Sequence, residues 1–406
     1  MLPSHYPVFK IFSSRRVHLG LTGSVAAFKT VSLARELQKT GISLGATLTR
    51  SAVRFMGPLT LTALDLHPVY ASDAPDQEDP FAHLTPARTA DALMITPATA
   101  DILAKSARGL ADDLLSTQIL AYPGPVYFCP AMNPAMWNNP ATQENVALLE
   151  SRGHIIITPE QGRVACGDEG SGRLAPIEQQ YYGILRALSP QDLAGQTILV
   201  TAGPTHEYFD LVRYMGNPSS GRMGLAAALA CWLRGAAVHF VHGPMQPFPR
   251  LPDFDPVAVT SASEMLEACL SIWDDCHKGI FTAAVSDFAP VPCQEGKFKK
   301  EGRKTLDMPM QATPDILATL SSRRHKSQMI AGFAAEARDL EANARQKLKA
   351  KNLDIIVANQ VGVEDTPFGS SHSRLLVMDR KGRQEYWPTL SKAETAWRIA
   401  DWFALI

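Results

Sequence analysis

The sequence lacks an excess of either charge, and it lacks any apolar run long enough to cross a membrane. Its 406 residues include 39 Lys and Arg and 40 Asp and Glu, for a net charge of -1. Balanced charge argues against a general nucleic-acid or acidic-lipid partner. No stretch reaches the roughly 20 apolar residues that a membrane helix needs. We therefore expect neither a nucleic-acid-binding protein nor a membrane protein.

Cysteine is also scarce. The 6 cysteines include no Cys-x-x-Cys pair, which argues against a zinc ribbon or a thioredoxin-type motif. This sparse pattern fits a reducing cytosol best. Arg15 and Arg16 are not followed by a long apolar run and a small-residue cleavage site, so secretion is not expected. The sequence predicts a cytoplasmic protein.

A repeated order of elements divides the chain into two halves. Residues 17–49 and residues 197–241 each have the pattern strand, glycine loop, helix and strand, which opens a parallel α/β sheet. The segment 188–195 contains Pro, Gly and polar residues, which is typical of a linker. The sequence therefore predicts an α/β fold with two Rossmann-like domains, at residues 1–190 and 191–406.

Short apolar runs predict the remaining strands. They lie at 92–96, 126–129, 154–158, 280–284, 329–333 and 354–358. Two more runs, at 375–379 and 385–387, flank a Lys-Gly turn and predict a hairpin before a C-terminal helix from about residue 392. Residues 72–80 are acidic and contain Pro, which indicates a loop.

Small and hydroxylated residues follow the first two strands. Gly23 and Ser24 lie between a strand and a helix, where backbone N–H groups at the positive helix end suit a phosphate. Thr49 and Ser51 follow the next strand and are candidates for the same phosphate. A tight turn and a simple helix cap explain these residues equally well.

Four later motifs lie near predicted strand ends. They are PFAHLTPARTAD with His83, PATAD from Pro97, PAMNPAMW from Pro130, and ACGDEGSGR with Cys166. Ligand sites of parallel α/β sheets form at the carboxyl ends of the strands, so these motifs are candidates for one site. A flexible loop with a thiol suits a lid that carries a reactive group. A structural histidine, a proline-rich turn and an incidental surface cysteine remain the alternatives.

Together these motifs and GLTGS resemble the flavin-dependent cysteine decarboxylase family. The match covers about residues 17–176, and in particular it resembles the decarboxylase half of bacterial coenzyme A biosynthesis fusion proteins. The resemblance implies a flavodoxin-like flavoprotein domain that binds FMN and assembles as trimers. It also implies that 4′-phosphopantothenoylcysteine is decarboxylated to 4′-phosphopantetheine.

The resemblance implies a role for each motif. His83 is the acid/base residue, Asn133 holds the carboxylate that is lost, and Cys166 donates a proton after decarboxylation. Oxidation of the substrate thiol by flavin supplies the electron sink that the decarboxylation needs. Asp101 is a departure, since several relatives carry Asn there. The implied FMN contacts are Gly23, Ser24, Thr49, Ser51, Pro97, Ala98, Thr99, Ala100, Ser116 and Met132.

The second half carries its own glycine-rich loops, in the run TAGPTHEYFDLVRYMGNPSSGRMG. Its glycines and serines offer N–H and O–H groups to an anion at a helix start. Their order does not fit the usual dinucleotide fingerprint or the P-loop. A nucleotide site and a structural turn are therefore both open. Asp287 ends a later strand, and the lysine run Lys297, Lys299 and Lys300 is of a kind that most often forms a solvated face.

The elements AGPT, NxSSGxMG, AAVSDF, KxKK, GFAAE and KxxDxIVAN resemble the phosphopantothenate–cysteine ligase family, across about residues 195–390. The resemblance implies a nucleotide-binding, dimeric ligase domain that uses CTP and Mg²⁺ and forms an acyl-cytidylate. Arg222 stands where Lys is common. The implied nucleotide contacts are Gly203, Ser219, Ser220, Gly221, Asp287, Lys297, Phe333, Lys347, Lys351 and Asn359.

Four residues of this half receive individual roles from the resemblance. Lys297 neutralises phosphate charge, Asn217 holds the acyl intermediate, and Arg213 assists the attack of cysteine. Asp287 contacts the nucleotide or its Mg²⁺. Both halves together predict an enzyme that makes 4′-phosphopantothenoylcysteine and then decarboxylates it.

Two other functions are alternatives to this prediction. A flavin prenyltransferase shares the flavodoxin-like fold, but PAMNPAMW and the ligase-like half argue against it. A regulatory flavoprotein with a decarboxylase-like fold is the non-enzyme alternative. The joint presence of His83, Asn133 and Cys166 argues against a protein that has kept the fold but lost the decarboxylase activity.

Overall fold

The computed structural model describes residues 1–71, 79–291, 296–297, 299, 304–360 and 372–404. The chain divides into two compact units. One comprises Met1–Pro3 and Val8–Ser189, and the other comprises Ser4–Pro7 and Pro190–Ile406. Most of the loop predicted at 72–80 lies outside the described residues, as do Cys293 and Lys300.

The N-terminal unit is built on a six-stranded parallel sheet with the order β3-β2-β1-β4-β5-β6. A two-stranded antiparallel hairpin, β7–β8, is separate from it. The strands are β1 (Arg16–Leu21), β2 (Ser43–Leu48), β3 (Val69–Ala71), β4 (Ala92–Ala98), β5 (Val126–Pro130), β6 (Ile155–Ile156), β7 (Glu160–Arg163) and β8 (Glu169–Arg173).

Helices cover both faces of this sheet. Helix α1 packs against α9, whereas α5 packs against α6 and α8. Short 3-10 turns lie at Lys10–Phe12 and Val25–Ala27. The helices are α1 (Phe28–Gln38), α2 (Arg50–Val53), α3 (Pro58–Thr62), α4 (Thr85–Thr89), α5 (Ala100–Arg108), α6 (Leu114–Ala121), α7 (Pro134–Trp137), α8 (Pro140–Ser151) and α9 (Ile177–Leu188).

The order of the strands fixes where a ligand can bind in this unit. Strand order reverses between β1 and β4, so the loops that follow them diverge and leave a crevice at their carboxyl ends. All seven residues of β4 are buried, as expected for a central strand with helices on both sides. The strand predicted at 154–158 is shorter in the structure, where only Ile155–Ile156 pairs with β5.

The C-terminal unit repeats this plan in an eight-stranded sheet of order β13-β12-β9-β14-β17-β18-β19-β20. Two separate antiparallel pairs are β10–β11 and β15–β16. The strands are β9 (Thr197–Ala202), β10 (Glu207–Tyr208), β11 (Tyr214–Met215), β12 (Ala237–His242), β13 (Phe254–Ala258), β14 (Lys278–Phe281), β15 (Phe288–Pro290), β16 (Met310–Ala312), β17 (Met329–Glu336), β18 (Ile355–Gln360), β19 (His372–Asp379) and β20 (Gln384–Ser391).

Helices again cover both faces. Helix α10 packs against α14, and α11 packs against α12. Trp273, Leu320 and Ile330 belong to the buried core of this unit. The helices are α10 (Arg222–Leu233), α11 (Ala262–Trp273), α12 (Ile316–Arg323), α13 (Leu340–Ala350) and α14 (Lys392–Ala404).

The predicted C-terminal hairpin is confirmed. Strands β19 and β20 pair antiparallel at the edge of the sheet, and Gly382 adopts a φ of 96° in the turn between them. Strand order in this unit reverses between β9 and β14, so a second crevice lies at their carboxyl ends. The predicted α/β fold with two Rossmann-like domains is therefore confirmed. The second sheet is parallel from β13 to β18 and antiparallel from β18 to β20.

Candidate active sites

In the N-terminal unit, hydroxyl groups join the loops that border the crevice. The Thr22 hydroxyl donates to the Pro97 carbonyl oxygen at 2.7 Å and accepts from the Thr99 backbone N–H at 3.0 Å. A Cβ atom on Gly23 would lie 2.5 Å from the Ser51 Cβ, so only glycine lets the first two loops approach this closely. The segments that carry most of the predicted flavin contacts therefore meet at one end of the sheet.

The remaining predicted flavin contacts have defined local roles. Ser24 and Thr49 cap short helices, by accepting from the N–H groups of Ala26 at 3.3 Å and Ala52 at 3.2 Å. Ser116 is buried in a capping box with Asp113 at the start of α6. Its hydroxyl is therefore engaged within the protein. Pro97 and Ala98 are buried at the end of β4, and Thr99 and Ala100 begin α5.

The structure brings Asn133 and Cys166 together. The Asn133 side-chain amide donates a hydrogen bond to Cys166 Sγ at 3.2 Å. It also donates to the Asp168 carboxylate, which in turn accepts from the Cys166 thiol at 3.5 Å. Asn133 Oδ1 accepts from the Ala135 N–H at 2.7 Å, and this contact turns the NH₂ group toward the thiol. Asp168 was missed by the sequence analysis, although it lies within ACGDEGSGR.

The hairpin β7–β8 carries Cys166 to this position. The Met132 N–H donates to the Gly172 carbonyl at 2.9 Å, so the strand lies directly against the PAMN loop. A Cβ on Gly172, whose φ is 140°, would lie 2.4 Å from the Met132 carbonyl oxygen. The segment predicted as a glycine-rich loop is thus partly a strand, because its glycines permit this contact. Cys166 is the exposed one among the five described cysteines, all of which are free.

His83 lies on a segment that is anchored separately. The Gln118 side chain, which is buried, donates to the Ala82 carbonyl at 2.8 Å. Near His83, hydrogen bonds from Thr85 and Tyr70 hold the pKa of the Asp79 carboxyl below its usual value. Within the described residues, no hydrogen bond joins His83 to Asn133 or Cys166.

In the C-terminal unit, a cavity of about 640 Å³ opens at the reversal point between β9 and β14. Strand ends, the loop before α10 and the starts of α12 and α14 surround it. The predicted residues that line it are Asn217, Ser219, Ser220, Gly221, Asp287, Phe333, Lys351 and Asn359.

Local hydrogen bonds fix the loop before α10. The Asn217 amide donates to the Val285 carbonyl at 2.8 Å, which ties the loop to the chain beyond β14. The Ser219 hydroxyl accepts from the Gly221 N–H at 3.3 Å. Gly221 adopts a φ of 70° just before α10, a conformation that glycine adopts without strain.

Two predicted lysines, one in the last turns of α13 and one at its C-cap, form ion pairs with different carboxylates. Lys347 pairs with Glu336 at 2.6 Å and does not line the cavity. Lys351 pairs with Asp315 at 3.1 Å, and both of these residues line the cavity. Burial acts to raise the pKa of Asp315, but hydrogen bonds from Ala318 and Lys351 outweigh it and lower the pKa. The carboxylate is therefore charged and holds the lysine at the wall.

Three further predicted residues lie outside the cavity lining. Gly203, with a φ of 79°, packs against Gly243 behind the loop. Arg213 pairs with Asp210 at 2.9 Å. Lys297 is exposed, as is Lys299, and the cavity does not include either residue. Exposed side chains outside the cavity are also what a solvated face would show. This interpretation of the lysine run therefore stands beside the proposed contact with phosphate.

The sequence analysis missed two cavity residues on the last helix. Lys392 and Thr395 line the cavity from the first turn of α14, beside Arg222 at the start of α10. No local motif marks them, because they reach the cavity through the packing of α14 against α10. Burial, followed by repulsion from Arg222, lowers the pKa of Lys392.

Comparison with known proteins decides the family. The model described as "Flavoprotein" matches residues 11–188, and the "DNA/pantothenate metabolism flavoprotein C-terminal domain" matches residues 193–405. The "Coenzyme A biosynthesis bifunctional protein CoaBC" of Bacillus subtilis (strain 168) is 38% identical over 404 residues, 98% of each chain. The chain belongs to this family of bifunctional proteins. The protein of the same name from Escherichia coli (strain K12) is 38% identical over 89% of this chain and 90% of its own.

Solved structures resemble each half. The C-terminal domain of a coenzyme A biosynthesis bifunctional protein CoaBC is 35% identical, with a TM-score of 0.44 over 53% of this chain and 97% of its own. A cysteine-to-serine variant of PPC decarboxylase complexed with pantothenoylaminoethenethiol is 34% identical, with a TM-score of 0.37 over 42% of this chain and 96% of its own.

Family membership confirms the resemblance that the motifs of both halves carry. A flavin prenyltransferase and a regulatory flavoprotein are not favoured, because the bifunctional relatives align with nearly the whole chain. Among the described helices, none has the length and apolar character of a membrane span.

Proposed function

We propose that the two activities of this bifunctional enzyme occupy separate units. The decarboxylase is assigned to residues 1–190 and the ligase to residues 191–406. The enzyme joins 4′-phosphopantothenate to cysteine and then decarboxylates 4′-phosphopantothenoylcysteine to 4′-phosphopantetheine. One observation supports each assignment: the contact of Asn133 with Cys166, and the polar cavity at the second reversal point.

The crevice residues of the N-terminal unit fit FMN. The close approach of Gly23 to Ser51 leaves two loops with backbone N–H groups beside one another, which suits the flavin phosphate. Thr22 holds the start of α5 against the same loops. When bound, FMN supplies the hydride acceptor that no amino-acid side chain can supply.

The side chains of this unit would then act on the substrate itself. Oxidation at the thiol carbon creates an electron sink, so the C–C bond to the carboxylate can break and release CO₂. The Asn133 amide would donate to that carboxylate without opposing its charge. His83 would exchange the proton of the reacting centre. An enethiol would remain after CO₂ has left. The Cys166 thiol would give a proton to one of its carbons while the hydride taken up earlier returns to the other, so the net reaction is a decarboxylation. Asp168 would orient the S–H bond of Cys166.

The ligase uses CTP in this proposal. A carboxylate is a poor acylating agent, so the carboxylate of 4′-phosphopantothenate attacks the α-phosphate of CTP and releases pyrophosphate. The cysteine amine then displaces CMP from the acyl-cytidylate. Asn217 would hold the acyl intermediate and Arg213 would assist the amine. Lys297 would neutralise phosphate charge. A nearby cation is needed here because the attacking carboxylate and the phosphates are both negative and repel one another.

Mg²⁺ belongs to the same proposal, with Asp287 as its protein contact. Among the described residues, no group of three His, Cys, Asp or Glu side chains gathers as a metal site. In this proposal, phosphate oxygens of CTP supply most of the coordination, which is usual for Mg²⁺. Gly203, Ser219, Ser220 and Gly221 would face the phosphates from the loop before α10.

We also propose a homo-oligomer, with trimeric decarboxylase units and dimeric ligase units, in the cytoplasm. Free thiols on the five described cysteines suit a reducing compartment. Light scattering after size-exclusion chromatography measures the assembly directly. A monomer in solution would contradict this part of the proposal.

One assay tests the function as a whole. Purified protein is mixed with 4′-phosphopantothenate, cysteine and CTP, and the products are followed by mass spectrometry. We expect CMP, pyrophosphate, 4′-phosphopantothenoylcysteine and 4′-phosphopantetheine, with flavin absorbance in the protein. Parallel reactions with ATP or with a chelator test the choice of nucleotide and the need for Mg²⁺. Product formation that is independent of any nucleotide would overturn the ligase mechanism.

A further inference from the structure

The first turns of two packed helices meet at the wall of the C-terminal cavity. Arg222 is the first residue of α10 and Lys392 is the first residue of α14, and both side chains line the cavity. Helix α10 has 12 residues and no side-chain cap, so its first turn presents unpaired N–H groups and the positive end of a helix dipole. The start of α14 is capped, because the Ser391 hydroxyl accepts from the Glu394 N–H at 3.2 Å and the Glu394 carboxylate accepts from the Ser391 N–H at 2.9 Å. Positive charge therefore accumulates at this place from three sources: the two side chains and the start of α10.

The two cations have no acidic partner. Among the described residues, neither Arg222 nor Lys392 makes an ion pair, whereas Lys351 in the same cavity pairs with Asp315. Each cation instead repels the other, and this repulsion adds to burial in lowering the pKa of Lys392. Two neighbouring cations without a counter-ion are unfavourable in the free protein, and a bound anion would remove that cost.

A buried hydroxyl at the same place also lacks a partner. Thr395 lies one turn after Lys392, lines the cavity and is only 1% exposed. Its Oγ1 atom has no hydrogen-bond partner among the described residues, not even the carbonyl four residues earlier to which helical threonines often donate. Buried hydroxyls are normally hydrogen-bonded, so this one is an unsatisfied donor on a residue of the cavity wall.

The other charged groups of the cavity do not neutralise this corner. Asp315 is held by Lys351 and by the N–H of Ala318 at the start of α12. Asp287 is exposed and makes no ion pair with Arg222 or Lys392. The corner therefore combines two cations, the uncapped N-terminus of α10 and one hydroxyl without a partner.

We propose that Arg222, Lys392 and Thr395 form a phosphate-binding subsite of the ligase cavity. This inference rests on the proposed ligase function, and it assigns the last helix of the chain to substrate binding. The phosphate belongs either to the triphosphate of CTP or to 4′-phosphopantothenate. Both groups offer acceptor oxygens to the guanidinium, the ammonium and the hydroxyl.

The test uses the full-length enzyme with Lys392→Gln and Thr395→Val. Calorimetric titration with CTP and, separately, with 4′-phosphopantothenate identifies the source of the phosphate. We expect the Kd for one of them to rise about tenfold or more in each variant, since a hydrogen bond to a charged group is lost. The KM for cysteine and the rate of CO₂ release from 4′-phosphopantothenoylcysteine should stay unchanged. Lys349→Gln, which removes an exposed lysine outside the cavity, is the matched charge control.

Thr395→Val separates binding from structure, because valine has the same shape without the hydroxyl. A purely structural threonine without a partner predicts equal or higher thermal stability and unchanged affinities. The subsite predicts the same stability with weaker phosphate binding. Unchanged affinities for both ligands in Lys392→Gln and Thr395→Val would overturn the subsite alone. No binding of either ligand by the unmutated enzyme would overturn the ligase assignment and the subsite with it.

Discussion

The side-chain amide of Asn133 donates to the sulfur of Cys166 at 3.2 Å, across 33 positions of sequence. The PAMN loop and the glycine-rich hairpin therefore build one site from two distant motifs. Asn133 is the residue proposed to hold the departing carboxylate, and Cys166 is the residue proposed to protonate what remains. Their contact places the proton donor beside the position that the carboxylate leaves.

We expect Cys166→Ser to bind FMN and to release CO₂ but to accumulate the oxidised enethiol. The serine hydroxyl is a far weaker acid than a thiol, so the last protonation should stall. CO₂ release measures the decarboxylation, and mass spectrometry of samples quenched at successive times measures the final protonation of the enethiol. Formation of 4′-phosphopantetheine at the normal rate would show that Cys166 is not the donor.

His83→Asn should abolish CO₂ release and leave the ligase reaction intact. The reason is that asparagine keeps a polar side chain of moderate size but cannot exchange a proton near neutral pH. Pyrophosphate release from CTP, measured on the same preparation, reports the ligase. Loss of both activities together would indicate instead a folding defect or coupling between the units.

Lys297→Gln should slow pyrophosphate release at least about tenfold, without an effect on CO₂ release. Loss of a hydrogen bond to a charged group costs about 1.5–3 kcal/mol, and each 1.4 kcal/mol is about tenfold in rate. Lys299→Gln is the matched control, because this lysine is also exposed and belongs to the same run. An unchanged rate in Lys297→Gln, or equal losses in both variants, would assign the run to general surface charge.

Gly172→Ala should impair the decarboxylase through the position of the hairpin. The new Cβ would lie 2.4 Å from the Met132 carbonyl oxygen, so β8 must move away from the PAMN loop and take Cys166 with it. Gly167→Ala is the control. It has a φ of 97°, but its nearest neighbour would lie at 3.9 Å. Both variants lose about 1–2 kcal/mol from the positive φ, and only Gly172→Ala adds the clash. Equal rates of product formation in the two variants would contradict this explanation.

The buried His18 should make the N-terminal unit less stable in acid. Burial, aided by the charge of Arg16, lowers the pKa of His18 to about 3, from 6.5 in the unfolded chain. Below pH 6.5 the unfolded chain therefore takes up a proton that the folded chain does not. Stability is lost as the pH falls from 6.5 toward 3, by at most about 1.4 kcal/mol per pH unit.

Comparison with His18→Gln isolates this effect, since glutamine can replace the 2.8 Å contact with the Thr47 hydroxyl and does not titrate near pH 6. Hydrogen exchange of the peptide that contains β1, corrected for intrinsic rates, gives the opening free energy at each pH. A pH dependence of equal slope in both proteins would show that His18 does not carry the effect.

Local sequence predicts the strands and loops best where the signal is strong. The buried runs of β1, β4 and β9 and the final hairpin are all visible as short patterns. The strand β8 was not predicted, because its glycines are typical of a loop. In the structure, Gly172 packs against the Met132 carbonyl oxygen and Gly170 packs against the Pro134 ring, and these close contacts favour glycine in the strand.

The same distinction holds for the candidate sites. Asn217, Ser219 and Asp287 could be selected from glycine-rich and strand-end patterns, and the structure places them around one cavity. Lys392 and Thr395 could not be selected, since their relation to that cavity arises from the packing of α14 on α10. A ligand contact supplied by tertiary packing leaves no periodic or motif signal in its own segment.

Gly224 fixes the position of the first turn of α10 at the wall of the C-terminal cavity. A Cβ at this position would lie 2.4 Å from the Ala202 Cβ and 2.5 Å from the Thr282 hydroxyl, so the first turn of α10 rests directly on β9 and the end of β14. The helix has no space to slide toward the sheet. The contact therefore sets the height of Arg222 above the sheet, and this residue is a fixed reference point for whatever binds in the cavity.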